Sequence, residues 1–128
     1  PVIMMLRSWA LTCAFRDAAV SRPHIITPSG IMPIALMTCA LRDIAPQAPV
    51  HLLVVPKSAE YRDVTELAAG DPALLAEMIA FAGTLAKEHT EDGDFRLVFN
   101  TGANAGQTVF HVHAHVLAGG LTEKSVGA

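Results

Sequence analysis

Histidines occupy three alternate positions, His111, His113 and His115, in the run Gln107-Thr-Val-Phe-His-Val-His-Ala-His-Val-Leu117. Val109, Phe110, Val112, Val116 and Leu117 favour an extended, packed backbone, so the segment reads as a β-strand. Successive side chains of a strand point to opposite faces. The three imidazoles then share one face, and Val112, Ala114 and Val116 share the other. The apolar face fixes the register of such a strand against a core. Three polar rings side by side cost free energy unless each finds a partner. With six histidines in 128 residues, chance produces this spacing on the order of one per cent of the time if positions are independent.

The rest of the chain can supply the core. With 52% hydrophobic and 16% charged residues over 128 positions, it suits one well-packed domain and not a disordered chain. A net charge of −3 without long runs of one sign argues against binding a nucleic-acid polymer through bulk charge. A small nucleotide in a pocket remains compatible. Cys13 and Cys39 form no CxxC pair, and a reduced, cytoplasmic setting is the expectation. The apolar start Pro1-Val-Ile-Met-Met-Leu6 is soon interrupted by Arg7, Arg16 and Asp17. It is too short and charged for a membrane span and lacks the marks of a targeting signal, so no membrane partner is expected.

Residues 1–22 are compatible with an amphipathic helix, and 24–27 and 34–41 with two short strands around Pro28-Ser-Gly30 and Pro33. Residues 43–49 form a loop, since Pro46 and Pro49 forbid regular structure. Val50-His-Leu-Leu-Val-Val55 is a strand ended by Pro56, and 64–69 reads as a single helical turn. Asp71-Pro72 starts a helix running to about His89, with Leu74, Leu75, Met78, Ile79, Ala82 and Leu85 on its apolar face. Phe95-Arg-Leu-Val-Phe99 is the next strand, followed by the glycine-bearing loop Thr101-Gly-Ala-Asn-Ala-Gly106 and the histidine strand, which Gly119-Gly120 ends. The order predicts a single α+β domain built on an antiparallel sheet.

Three readings of the histidines compete: satisfied structural rings, a shared metal with His51 as a further ligand, and nucleophilic acid–base catalysis. The preceding loop favours the last. Gly102 and Gly106 let backbone N–H groups approach an anion, and Asn100, Gln107 and Thr108 add neutral donors. A phosphate held beside a nucleophilic imidazole uses such a loop; a metal does not. His24, His89, Trp9, Tyr61 and Arg42 are read as packing or surface residues.

The run Phe99-Asn-Thr-Gly-Ala-Asn-Ala-Gly-Gln-Thr-Val-Phe-His-Val-His-Ala-His-Val-Leu117 closely resembles the signature of the histidine-triad (HIT) superfamily. Asp43-Ile-Ala-Pro-Gln-Ala-Pro-Val-His-Leu-Leu-Val-Val-Pro-Lys57 resembles its second conserved block. The details look most like the purine nucleoside phosphoramidase (Hint) branch, and the Pro-Gln-Ala-Pro run favours it over the dinucleoside polyphosphate hydrolases. The resemblance divides the chain into a divergent segment 1–40, a core 41–120 and a tail 121–128.

The resemblance implies the HIT fold, with a sheet of about five strands and packed helices. It also implies hydrolysis of nucleoside 5′-phosphoramidates or aminoacyl-adenylates to a nucleoside monophosphate. His113 matches the nucleophile that forms a covalent nucleotidyl–histidine intermediate, oriented by His111 through its backbone carbonyl and ring. His115, with Thr108, matches the group that holds the phosphate oxygens and helps protonate the leaving amine, and His51 the histidine behind them in a relay. Asp43 matches the carboxylate on the ribose, with Ile44 beside it, while Asn100, Gly106 and Gln107 line the phosphate end. The implied partners are a purine nucleotide of AMP or GMP type and a second copy of the chain in a symmetric dimer. No cofactor and no metal are expected: the N-terminal CxxC with which some bacterial members bind zinc is missing. Leu41 stands where an aromatic residue is usual.

Overall fold

The computed structural model describes residues 37–124. Within them the order is β1 (Thr38–Arg42), β2 (Val50–Pro56), α1 (Val64–Gly70), α2 (Pro72–His89), β3 (Arg96–Val98), a 3-10 turn (Ala103–Ala105) and β4 (Ala114–Ala118). The strands form one antiparallel sheet of four, in the order β1-β2-β4-β3. The α+β architecture is the one expected from the sequence, with four strands among the described residues where about five were expected. The expected helix at 1–22 and strand at 24–27 lie outside the described residues, as does the second half of the tail.

Alternation sorts the sheet into two faces. Leu52 and Val54 of β2 and Ala114 and Val116 of β4 pack with Val112 against Leu67 of α1 and Leu74, Met78, Phe81, Ala82 and Leu85 of α2. Full burial of residues the size of Leu67 or Met78 stabilises the fold by about 1.5–3 kcal/mol each. His51 and His115 fall on the opposite face, because each is offset by one residue from those core positions.

The strand expected over the whole histidine run is shorter than the alternation suggested: only Ala114–Ala118 is laddered. The register that pairs Val54 with Ala114 would next bring Val112 opposite Pro56, which has no N–H to give. Val112 instead donates its N–H to the Tyr61 carbonyl. His111 and His113 therefore sit in a segment held by residues 56–62, ahead of the strand. The strand expected at 95–99 is likewise trimmed to Arg96–Val98.

Both helices begin on an aspartate. Asp71 accepts from Leu74 N–H, with Pro72 in the first turn of α2. Asp63 accepts from the N–H groups of Thr65 and Glu66, so the single turn expected near 64 becomes a helix of seven residues. On α2 the expected face is rotated: Ile79 is 44% exposed, while Phe81 and Ala86 are buried in its place. The last residue of α1 is a glycine, Gly70, and the Tyr61 ring lies where a β-carbon would stand.

Candidate active site

Each histidine of the run meets a different partner, and those partners set where its hydrogen sits. His111 Nε2 lies 2.9 Å from the Pro56 carbonyl oxygen, and His113 Nδ1 lies 2.8 Å from the His111 carbonyl oxygen. A carbonyl only accepts, so His111 carries its hydrogen on Nε2 and His113 on Nδ1. His113 Nε2 is left unprotonated, as a nucleophilic imidazole requires. His113 is half-buried, whereas His51, His111 and His115 are buried, so of the four it is the ring most open to a reactant.

A second chain of bonds runs behind it. The Gln47 N–H donates to His51 Nδ1 at 2.9 Å, which places the His51 hydrogen on Nε2. That hydrogen faces His115 Nδ1 at 2.9 Å, with Asp43 Oδ2 3.3 Å from the same His51 nitrogen. His115 accepts at Nδ1 and so carries a hydrogen at Nε2, which makes it a neutral donor suited to an anionic oxygen. The His113 and His115 rings meet edge to face with centroids 5.1 Å apart.

Burial disfavours the charged form of His115 and His111. It is the main cause that lowers the His115 pKa from 6.5 to about 4; neighbouring His113 and His51 lower it further, and the Asp43 carboxylate opposes them. His111 is also lowered, first by burial and then by His113, against the Pro56 carbonyl bond. The unfolded chain thus takes up these protons at a higher pH than the folded one, and acid favours unfolding. Stability is unaffected above pH 7 and falls as the pH drops through 6.5 toward 4. At pH 5 the cost at His115 alone is about 2 kcal/mol. Urea denaturation is expected to show a lower midpoint at pH 5 than at pH 7, and His115→Gln is expected to shrink that difference.

The loop before the histidines is built differently from expectation. Gly102 and Gly106 do adopt φ of 88° and 92°, which favours glycine. Their N–H groups, however, are used inside the loop, by Gln107 Oε1 at 2.9 Å and by the Ala103 carbonyl at 3.1 Å. Gln107, expected as a substrate donor, is 3% exposed. Its Nε2 donates to the carbonyls of Arg62 at 2.7 Å and Val109 at 3.0 Å, and its backbone N–H goes to the Gly102 carbonyl. The side chain has no N–H left for a ligand: it ties this loop to Arg62.

Thr108 is exposed and Asn100 half-buried. Asn100 follows Val98, which pairs with His115, by two residues. Asn100 Nδ2 stands 3.9 Å from where a Gly106 β-carbon would be. Ile44 is 71% exposed. Of the groups that set the tautomers, the His111 carbonyl is the one the resemblance implied, while the Gln47 N–H and the Pro56 carbonyl were not expected. Backbone atoms have no side-chain signature.

Asp43 Oδ2, His51 Nε2 and His115 Nδ1 lie within 4.8 Å of one another and offer a two-histidine, one-carboxylate set. A metal needs the lone pair of His51 Nε2, and a ligating histidine ordinarily donates through its other nitrogen. Here the other nitrogen accepts from Gln47, so the set fits a shared proton better than a metal. The protein also has a cavity of about 390 Å³, lined by Asp92, Asp94, Phe95, Arg96 and residues 118–121. It contains none of the four histidines, and the chemistry places the site with them.

Comparison with known proteins agrees with this assembly. Residues 36–120 match the model of the HIT domain. The chain is 38% identical over 94 residues to the purine nucleoside phosphoramidase of Escherichia coli K12, covering 72% of this chain and 77% of that protein. It is 43% identical over 83 residues to an uncharacterized HIT-like protein of Synechocystis, covering 62% and 69%. Among solved structures it resembles a HIT family hydrolase from Clostridium thermocellum, with a TM-score of 0.61, 29% identity and coverage of 85% of this chain and 89% of that one.

Proposed function

The chain belongs to the HIT domain family, and from that premise we propose that it hydrolyses nucleoside 5′-phosphoramidates through covalent catalysis by His113. The observation that carries the reading is the bond from His113 Nδ1 to the His111 carbonyl, which leaves Nε2 with its lone pair. In the first step Nε2 forms a bond to phosphorus as the P–N bond breaks, and the amine departs with a proton that His115 helps deliver from solvent and that the second step returns to it. Water then attacks the nucleotidyl–histidine, releasing the nucleoside monophosphate and restoring the ring. The neutral Nε2–H of His115 would hold a phosphate oxygen through both steps, where charge builds up. Thr108 and Asn100 are the further polar contacts of this reading, and Asp43 with Ile44 the nucleoside contacts.

The P–N bond as target rests on the likeness to the E. coli phosphoramidase. The partner is then a purine nucleotide of AMP or GMP type. A second copy of the chain in a symmetric dimer belongs to the same reading. Among the described residues β3 is an edge strand of only three residues, an edge at which a further strand can pair.

The test is hydrolysis of adenosine 5′-phosphoramidate with and without a chelator. Chelator-resistant release of AMP is the expected result. AMP binding without turnover, or activity lost on chelation and restored by zinc, would overturn the reading.

A further inference from the structure

We propose that Asp43 is a positioning residue for the reaction, whose carboxylate acts through His51 on His115 independently of any contact with the sugar. The kinetic part rests on the function proposed above. The backbone first ties the two residues together: the Asp43 N–H donates to the His51 carbonyl at 3.0 Å, closing the turn between β1 and β2. Asp43 Oδ1 is then held by the Ala45 N–H at 2.8 Å, which fixes the side-chain rotamer. That leaves Oδ2 aimed inward, 3.3 Å from His51 Nε2 and 4.0 Å from His115 Nδ1. The side chain is 16% exposed, so its charge is only partly screened by water.

Gln47 makes this contact consequential. By donating to His51 Nδ1 it forces the single ring hydrogen of neutral His51 onto Nε2, between the imidazole nitrogen of His115 and the carboxylate of Asp43. The carboxylate polarises that N–H and places negative charge beside His115. This favours positive charge on His115 and on the adjoining His113 ring, which becomes cationic when Nε2 bonds to phosphorus. A carboxylate that only gripped ribose hydroxyls would act through the substrate alone. The two roles therefore separate on a substrate that lacks those hydroxyls.

The test uses Asp43→Asn, which keeps an acceptor for the Ala45 N–H but carries no charge; Asp43→Ser serves the same purpose should the first variant fail to fold. On 2′,3′-dideoxyadenosine 5′-phosphoramidate, kcat is expected to fall at least about tenfold relative to wild type, as on the ribose substrate. Proton and nitrogen-15 spectra of the substrate-free protein are expected to place the His51 hydrogen on Nε2, with its proton resonance moving upfield in the variant. A variant with wild-type kcat on the dideoxy substrate, or an unmoved His51 Nε2 resonance, would overturn the proposal. If wild type turns over no phosphoramidate, the proposed function fails, while the spectra still decide the role of Asp43.

Discussion

Replacing His113 by alanine is expected to lower kcat for phosphoramidate hydrolysis by about 10³-fold or more, with AMP affinity kept within tenfold. The asymmetry follows from the tautomers. His113 Nδ1 is tied to the His111 carbonyl, so the ring contributes a lone pair at Nε2 and no hydrogen to a bound phosphate. Donors to the phosphate come from elsewhere, His115 foremost, and the nucleoside contacts of this reading, Asp43 and Ile44, do not involve His113. Removing His113 therefore removes the bond-forming atom and little ground-state binding. Steady-state kinetics and AMP titration of the variant read the two quantities separately. An equal loss of both would make His113 a binding group.

Gln107→Leu is expected to destabilise the fold by about 3 kcal/mol. Leucine has nearly the volume of glutamine, so a cavity is not the cause. The cost comes from three backbone groups that lose their partner: the Gly102 N–H and the carbonyls of Arg62 and Val109. Because the residue is buried, water cannot replace all three bonds. The loops at 57–63 and 101–110 would lose their clamp, and the Val112–Tyr61 bond that places His111 and His113 would loosen with it. Urea denaturation is expected to show the lower midpoint, and kcat to fall although no substrate contact was removed. Gln107→Glu keeps the acceptor for Gly102 but sets a carboxylate against two carbonyls, so it should not rescue the fold.

The alternation in the histidine run was legible because it survives without the ladder: Val112, Ala114 and Val116 enter the core whether or not their backbone is paired. The length of the strand was not legible. It depends on which residue of β2 faces Val112, and that residue, Pro56, lies more than fifty positions away. Helix α2 was readable from Asp71-Pro72 and its long apolar period. Helix α1 spans only seven residues, too few for a period to show; its signal was Asp63 three residues before Glu66. Glu66 Oε2 in fact accepts from the Arg62 N–H at 2.9 Å. Gln107 was misread for a similar reason: an amide near a glycine loop suits a phosphate, but its partners here include the carbonyl of Arg62, 45 residues away. The resemblance picked out His51 and Asp43 as site residues. Their contact with each other was not visible, since it depends on how the Asp43–Pro49 turn closes.

The central claim is that His113 takes up the nucleotidyl group. Mixing a slight excess of wild-type protein with adenosine 5′-phosphoramidate, quenching under alkaline conditions that preserve a phosphorus–histidine bond, and mapping the peptides tests it directly. The expected result is an adenylyl group on His113, formed and lost at rates compatible with turnover and absent from His113→Ala. Turnover with no adduct, or an adduct carried by His111 or His115, would contradict it.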